Sequence, residues 1–198
     1  AGLGYWFWDA DLVRYEQVTG LPNVVPGSAE AFKAPLLTDP GTRFEYGINI
    51  DWLGRVVEAV VGATLDIVVK ERITEPLGMG DTMFRLDEPR SAHCVTVHVP
   101  GEDGNWASAG GILNRTPDWW SGGHGLYSTP RDYIRFERML LRGGELDGER
   151  ILAQATVDAA FTNQIGDLDF PAEVPTADPG VTATLSLGPG WKWGYGLL

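Results

Sequence analysis

Residues 39–61, DPGTRFEYGINIDWLGRVVEAVV, constrain this chain more than any other stretch. Pro40 fixes φ and Gly41 tolerates φ > 0, so the segment opens on a turn. Gly47 allows a backbone shape that a β-carbon would forbid. Apolar residues then recur at Ile50, Leu53, Val57 and Val60/Val61, the spacing of one helix face, and Gly62 ends the run. Tyr46 therefore sits on a constrained loop at the mouth of a helix. Loops held by rigid elements are where binding and catalytic groups concentrate. A tyrosine met singly is otherwise a half-buried aromatic with its hydroxyl in water.

The flanking chain reads as alternating helices and loops. Asp9 or Asp11 caps a helix through about Val18, with Trp8, Leu12 and Tyr15 on one face and Gly20 as its stop. The aromatic run Tyr5-Trp6-Phe7-Trp8 reads mainly as core, with a pocket wall as the functional alternative. Residues 21–40 read as a surface loop, with a helical turn at Ala29 to Ala34. Thr64 caps a second helix, carrying Asp66 near its start and Lys70 and Arg72 near its end, and Pro76 stops it. Alternation from His93 to Val99 predicts a short strand, followed by a turn at Glu102-Asp103-Gly104-Asn105. Thr129 caps a helix with Pro130 first, an apolar face of Tyr133, Phe136, Met139 and Leu140, and Gly143-Gly144 as its end. A turn at Leu146-Asp147-Gly148, a helix over 153–164, a long loop over 166–190 and a strand over 191–198 complete the pattern.

Composition excludes some function classes. A chain of 198 residues with 43% hydrophobic and 21% charged residues has the makeup of one globular domain. Its net charge of −12 disfavours nucleic acid and anionic membrane as partners, because both need basic patches. No apolar run approaches the roughly 18–20 residues of a membrane span. The single cysteine, Cys94, forms no internal disulfide, so the chain does not resemble a stapled secreted domain. Adjacent residues on a strand point to opposite faces, so His93 and Cys94 are badly placed to share a proton, and Cys94 reads as a buried or incidental thiol. His93 and His98 lack neighbours at metal-ligand spacing, so no metal is assigned.

Taken together, these strings resemble the serine β-lactamase and penicillin-binding-protein superfamily, most closely the family VIII carboxylesterases and their class C β-lactamase relatives. Pro40-Gly41, Phe44, Tyr46 and Leu53-Gly54-Arg55-Val56-Val57-Glu58 match that family's turn, tyrosine and helix. Residues 75–84, EPLGMGDTMF, resemble its PLGMxDTxF segment; Gly125-Leu126-Tyr127-Ser128-Thr129 and residues 140–148, LLRGGELDG, follow in the family's order. Trp191-Lys192-Trp193-Gly194-Tyr195 resembles its WGLGF strand. The resemblance implies an α+β fold, an antiparallel sheet with helices plus a helical lobe, of which residues 1–198 supply mainly the lobe and a few strands. Because a string like Ala1-Gly2-Leu3-Gly4-Tyr5 lies well inside family members, the chain is expected to be an internal segment of one hydrolase domain.

The same resemblance implies the chemistry. The nucleophile is the serine of a Ser-x-x-Lys motif, and Tyr46 matches the tyrosine that takes the serine proton and returns it to the leaving group. A class C enzyme has a pocket tyrosine where His124 stands, so His124, with Gly123 and Trp120, is expected to contact substrate. Ile48 stands where class C enzymes carry asparagine, which resembles the esterases. The implied substrate is a small ester or amide, with no cofactor. None of Ser28, Ser91, Ser108, Ser121, Ser128 and Ser186 has lysine three residues on, and none lies in Gly-x-Ser-x-Gly. The nucleophile is therefore expected outside this sequence. A carboxylesterase, a β-lactamase, D-Ala peptidase or acyltransferase variant, and a non-catalytic binding domain of the same fold all stay open, because one fold hosts many functions.

Overall fold

The computed structural model describes residues 1–101, 104–110, 117–174, 177–178 and 187–196. Helix α1, Ala10–Thr19, begins where the Asp9 carboxylate accepts from the backbone N–H groups of Asp11 (2.9 Å) and Leu12 (3.2 Å), and it ends at Gly20 in the left-handed conformation (φ 73°). Trp8 and Leu12 are buried as expected, whereas Tyr15 is exposed. Helix α2, Asn49–Val61, carries the predicted stripe and stops at Gly62 (φ 75°). The stripe itself faces outward: Leu53 is 58% and Val60 81% exposed, while Asp51 and Gly54 point inward. The helical period was therefore legible, but the polar side of the first turn is the buried one.

Helix α3, Leu65–Val69, runs into a π turn at Lys70–Thr74. The Thr64 hydroxyl does not cap this helix, since it turns to the Asp66 carboxylate. The Glu58 carboxylate instead accepts from Leu65 N–H at 2.8 Å. Helix α4, Glu88–Ser91, precedes an antiparallel hairpin of β1, Val97–Pro100, with β2, Trp106–Gly110. The strand thus starts four residues later than its alternation predicts. His93 and Cys94 lie just beyond α4, where His93 Nδ1 meets the Pro89 carbonyl, and Cys94 is exposed rather than buried. Of the turn expected at 102–105, residues 102 and 103 lie outside the described residues.

Helix α5, Pro130–Leu141, follows the reading closely, with Thr129 Oγ1 accepting from Asp132 N–H at 3.2 Å. Met139 is fully buried, but Tyr133 is exposed. Strands β3, Glu145–Leu146, and β4, Glu149–Arg150, form a hairpin whose two turn residues, Asp147 (φ 52°) and Gly148 (φ 91°), both take positive φ. That is the type I′ geometry an Asp-Gly pair favours. Helix α6, Gln154–Ala160, is shorter than the 153–164 reading. Of the strand expected over 191–198, residues 197 and 198 lie outside the described residues and 191–196 form no strand; Phe170 N–H and Gln164 N–H reach the carbonyls of Trp191 (2.9 Å) and Trp193 (2.8 Å) as isolated bonds. Aromatic packing overrides the alternation there: the Trp193 ring stacks on Phe170 (5.9 Å) and touches Phe44 (5.6 Å).

Two cores result. One is aliphatic: Leu77, Met79, Met139 and Leu146, packed by Ile73, Phe136, Leu140, Ile151 and Leu152. The other is aromatic and gathers Tyr5, Trp8, Phe44, Tyr46, Phe170 and Trp193 around Ile48. Residues 75–84 and 125–129 meet through paired backbone bonds between Met83 and Tyr127 (3.0 and 2.9 Å). The Asp132 carboxylate ties the same junction to α5, accepting from Asp81 N–H (2.7 Å) and the Thr82 hydroxyl (3.0 Å). This mixed architecture, helices with small antiparallel sheets, is the expected α+β class.

Candidate active site

Tyr46 leaves the 39–45 turn and enters the aromatic core beside α2. Its ring lies 5.3 Å from Tyr5, 5.4 Å from Trp8 and 6.4 Å from Trp193. Gly47 makes this possible, though through close approach rather than a left-handed φ: a β-carbon there would sit 1.9 Å from the Leu3 carbonyl oxygen. Tyr46 lines a cleft of about 630 Å³ shared with Arg43, Glu45, Asn49, Gln164 and Trp193. Among the described residues its hydroxyl has no hydrogen-bond partner. Burial, and then the nearby Asp51 charge, push the Tyr46 phenol above its ordinary range. A phenol so placed favours its protonated form, and a cation or a hydrogen-bond donor brought against its oxygen would lower that value.

Asp51 is the centre of a second constellation. It projects from the first turn of α2 and is fully buried. One carboxylate oxygen accepts from the Ser121 hydroxyl and from Gly123 N–H (3.0 Å); the other accepts from the Tyr5 hydroxyl (3.2 Å). Burial first, then the Asp51 charge, hold the Tyr5 phenol well above its ordinary range, so Tyr5 donates. Ser121 Oγ also meets His124 Nδ1 at 2.8 Å, His124 N–H at 2.9 Å and Gly123 N–H at 3.1 Å. Gly122 and Gly123 permit this tight loop, since a β-carbon at Gly122 would lie 2.5 Å from the Ile50 carbonyl oxygen, and one at Gly123 2.8 Å from the Tyr5 hydroxyl.

Serine, histidine and aspartate in contact invite comparison with a catalytic triad, but the order is wrong. In a triad the carboxylate holds the histidine, and the far imidazole nitrogen faces the serine. Here both partners hold the serine. Ser121 is buried, its proton goes to Asp51, and its lone pairs receive N–H donors. That is a wedge rather than a nucleophile.

The expected site residues fall in two places. His124 and Trp120 line a niche of about 20 Å³ with Phe84, Trp119 and Ser121, separate from the Tyr46 cleft. Trp120 packs on Phe84 (5.5 Å) and lies beneath the Arg85 guanidinium (5.8 Å). The Gly123 amide is committed to Asp51 and Ser121. Asp51 joins the two places, since it acts on Tyr46 by charge and on His124 through Ser121. Sequence reasoning missed Asp51, Ser121 and Tyr5 as members. The available signals were a lone acid at the start of an apolar helix and the Ser-Gly-Gly-His spacing.

Comparison with known proteins gives a consistent result. A beta-lactamase family model matches residues 15–196. The lovastatin esterase of Penicillium rubens is 34% identical over the whole of this chain and 51% of its own length. The monacolin J acid methylbutanoyltransferase of Aspergillus terreus is 29% identical over 81% of this chain and 39% of its own. Among solved structures, a mutant of simvastatin synthase from Aspergillus terreus superposes with a TM-score of 0.73 at 26% identity, over 98% of this chain and 49% of that one. The chain thus spans about half, or less, of the length of these relatives.

Proposed function

The chain belongs to the beta-lactamase family, and on that premise we propose that it is the tyrosine-bearing segment of a serine esterase that cleaves short acyl esters through an acyl-serine intermediate. The observation that carries the reading is the Tyr46 phenol, which lines an open cleft and has no hydrogen-bond partner among the described residues. Tyr46 is the base and proton relay: it takes the proton of the attacking serine and returns it to the leaving alkoxide. The serine belongs to a Ser-x-x-Lys motif outside these 198 residues. Its lysine is the cation that would bring the raised Tyr46 phenol into working range. Trp120 and His124 contact substrate beyond the reacting atoms, whereas Gly123 supports that loop.

Turnover of p-nitrophenyl butyrate by a polypeptide joining residues 1–198 to its Ser-x-x-Lys segment tests this reading. Steady release of p-nitrophenol, with little hydrolysis of a chromogenic β-lactam, supports it. Hydrolysis of the β-lactam alone overturns the ester assignment. Similarity to a methylbutanoyltransferase favours a second reading, acyl transfer to an alcohol. An added alcohol that captures the acyl group in place of water would support that reading.

A further inference from the structure

A serine hydroxyl has one proton and two lone pairs, which is enough to fix the proton positions around Ser121. Asp51 accepts from Tyr5 O–H and Gly123 N–H on its two oxygens, so it is the acceptor toward Ser121 as well. The single Ser121 proton is then spent on Asp51. The Gly123 N–H is shared between Asp51 (3.0 Å) and Oγ (3.1 Å), and Oγ faces His124 N–H (2.9 Å) and His124 Nδ1 (2.8 Å) with lone pairs only. Nδ1 can make that contact only as a donor. A neutral imidazole protonated at Nδ1 carries a bare lone pair at Nε2. Among the described residues Nε2 has no partner, and the ring lines the niche with Phe84 and Trp120. At about 20 Å³ the niche admits a single small group, on the scale of one water molecule.

We propose that Asp51 and Ser121 are positioning residues that hold His124 as its Nδ1–H tautomer, so that Nε2 accepts a hydrogen bond from a donor group on the substrate, a hydroxyl or an amide N–H. The niche therefore discriminates against a carboxylate or a carbonyl at that point. Locating the discriminating group on the substrate rests on the esterase reading above; the tautomer does not.

Nitrogen-15 spectra of the natural polypeptide that contains residues 1–198, at about pH 8.5, above the ordinary imidazole range, test the tautomer directly. His124 is assigned by the resonances lost in His124→Gln. The expected result is a protonated Nδ1 and a bare Nε2, retained in Tyr5→Phe and lost in Ser121→Ala. A protonated Nε2 in the unmodified chain overturns the proposal whatever the variants do. The ligand half is read by titrating butyramide and butyrate while following Nε2. Butyramide is expected to shift it and butyrate to leave it in place; a response to butyrate alone, or to neither, overturns the donor-accepting role. Neither measurement needs turnover, so failure of the hydrolase reading and failure of this one are told apart.

Discussion

The two cores of this molecule contain a buried first-turn aspartate apiece, and they use it differently. Around Leu77, Met79, Met139 and Leu146, Asp132 ties backbone and Thr82 into a finished junction. Around Trp8, Tyr46 and Phe170, Asp51 organises side chains: a phenol, a serine and, through it, a histidine. Among the described residues the buried polar atoms without a partner are Trp6 Nε1, Thr38 Oγ1, Glu45 Oε1, Asn49 Oδ1 and Trp119 Nε1, and none belongs to the aliphatic core. An unpaired buried polar atom costs about 1–3 kcal/mol, so a region that retains several is not shaped by stability alone. Local rules are broken most often where function is carried.

Tyr46→Phe should break that contrast with the largest effect. Turnover of p-nitrophenyl butyrate is expected to fall about 10²- to 10⁴-fold with the unfolding midpoint little changed, since the ring contacts remain. Met139→Ala, by contrast, should cost about 2–5 kcal/mol in denaturant unfolding, because it empties a fully buried site.

Alkaline titration separates the two sides more finely. Burial raises the folded phenols of Tyr5 and Tyr46, whereas in the unfolded chain both titrate near the ordinary value of about 10. The folded state therefore holds protons that the unfolded state releases. Stability is fully present below about pH 10 and falls above it, by up to about 1.4 kcal/mol per pH unit for each tyrosine. Tyr5→Phe should make the loss shallower; an unchanged slope would remove Tyr5 from the account. The smallest effect belongs to Cys94→Ser. Cys94 is exposed and far from both cores in role, so midpoint and turnover should move by no more than about 0.5 kcal/mol.

Much of this was legible in the sequence. Capping residues and glycine stops gave α1, α2 and α5 nearly to the residue, because Asp9, Thr129, Gly20 and Gly62 act through local backbone geometry. The Tyr46 loop and the motif order gave the family. Burial was less legible: the α2 stripe reads as core and is exposed, because periodicity reports a face and not what covers it. Alternation at 191–198 predicted a strand, but Trp193 is held by rings from elsewhere in the chain. Asp51 was invisible for the same reason. An acid in the first turn reads as a favourable dipole partner, and its real partners are 46 and 70 residues away.

The central claim is that Tyr46 serves a serine outside this segment. Intact mass and peptide mapping of the natural polypeptide, with and without a fluorophosphonate probe, test it most directly. The account predicts a polypeptide heavier than 21.6 kDa with one adduct, on a serine followed three residues later by lysine. An adduct on Ser28, Ser91, Ser108, Ser121, Ser128 or Ser186, or no adduct on a polypeptide that carries the motif, would contradict it.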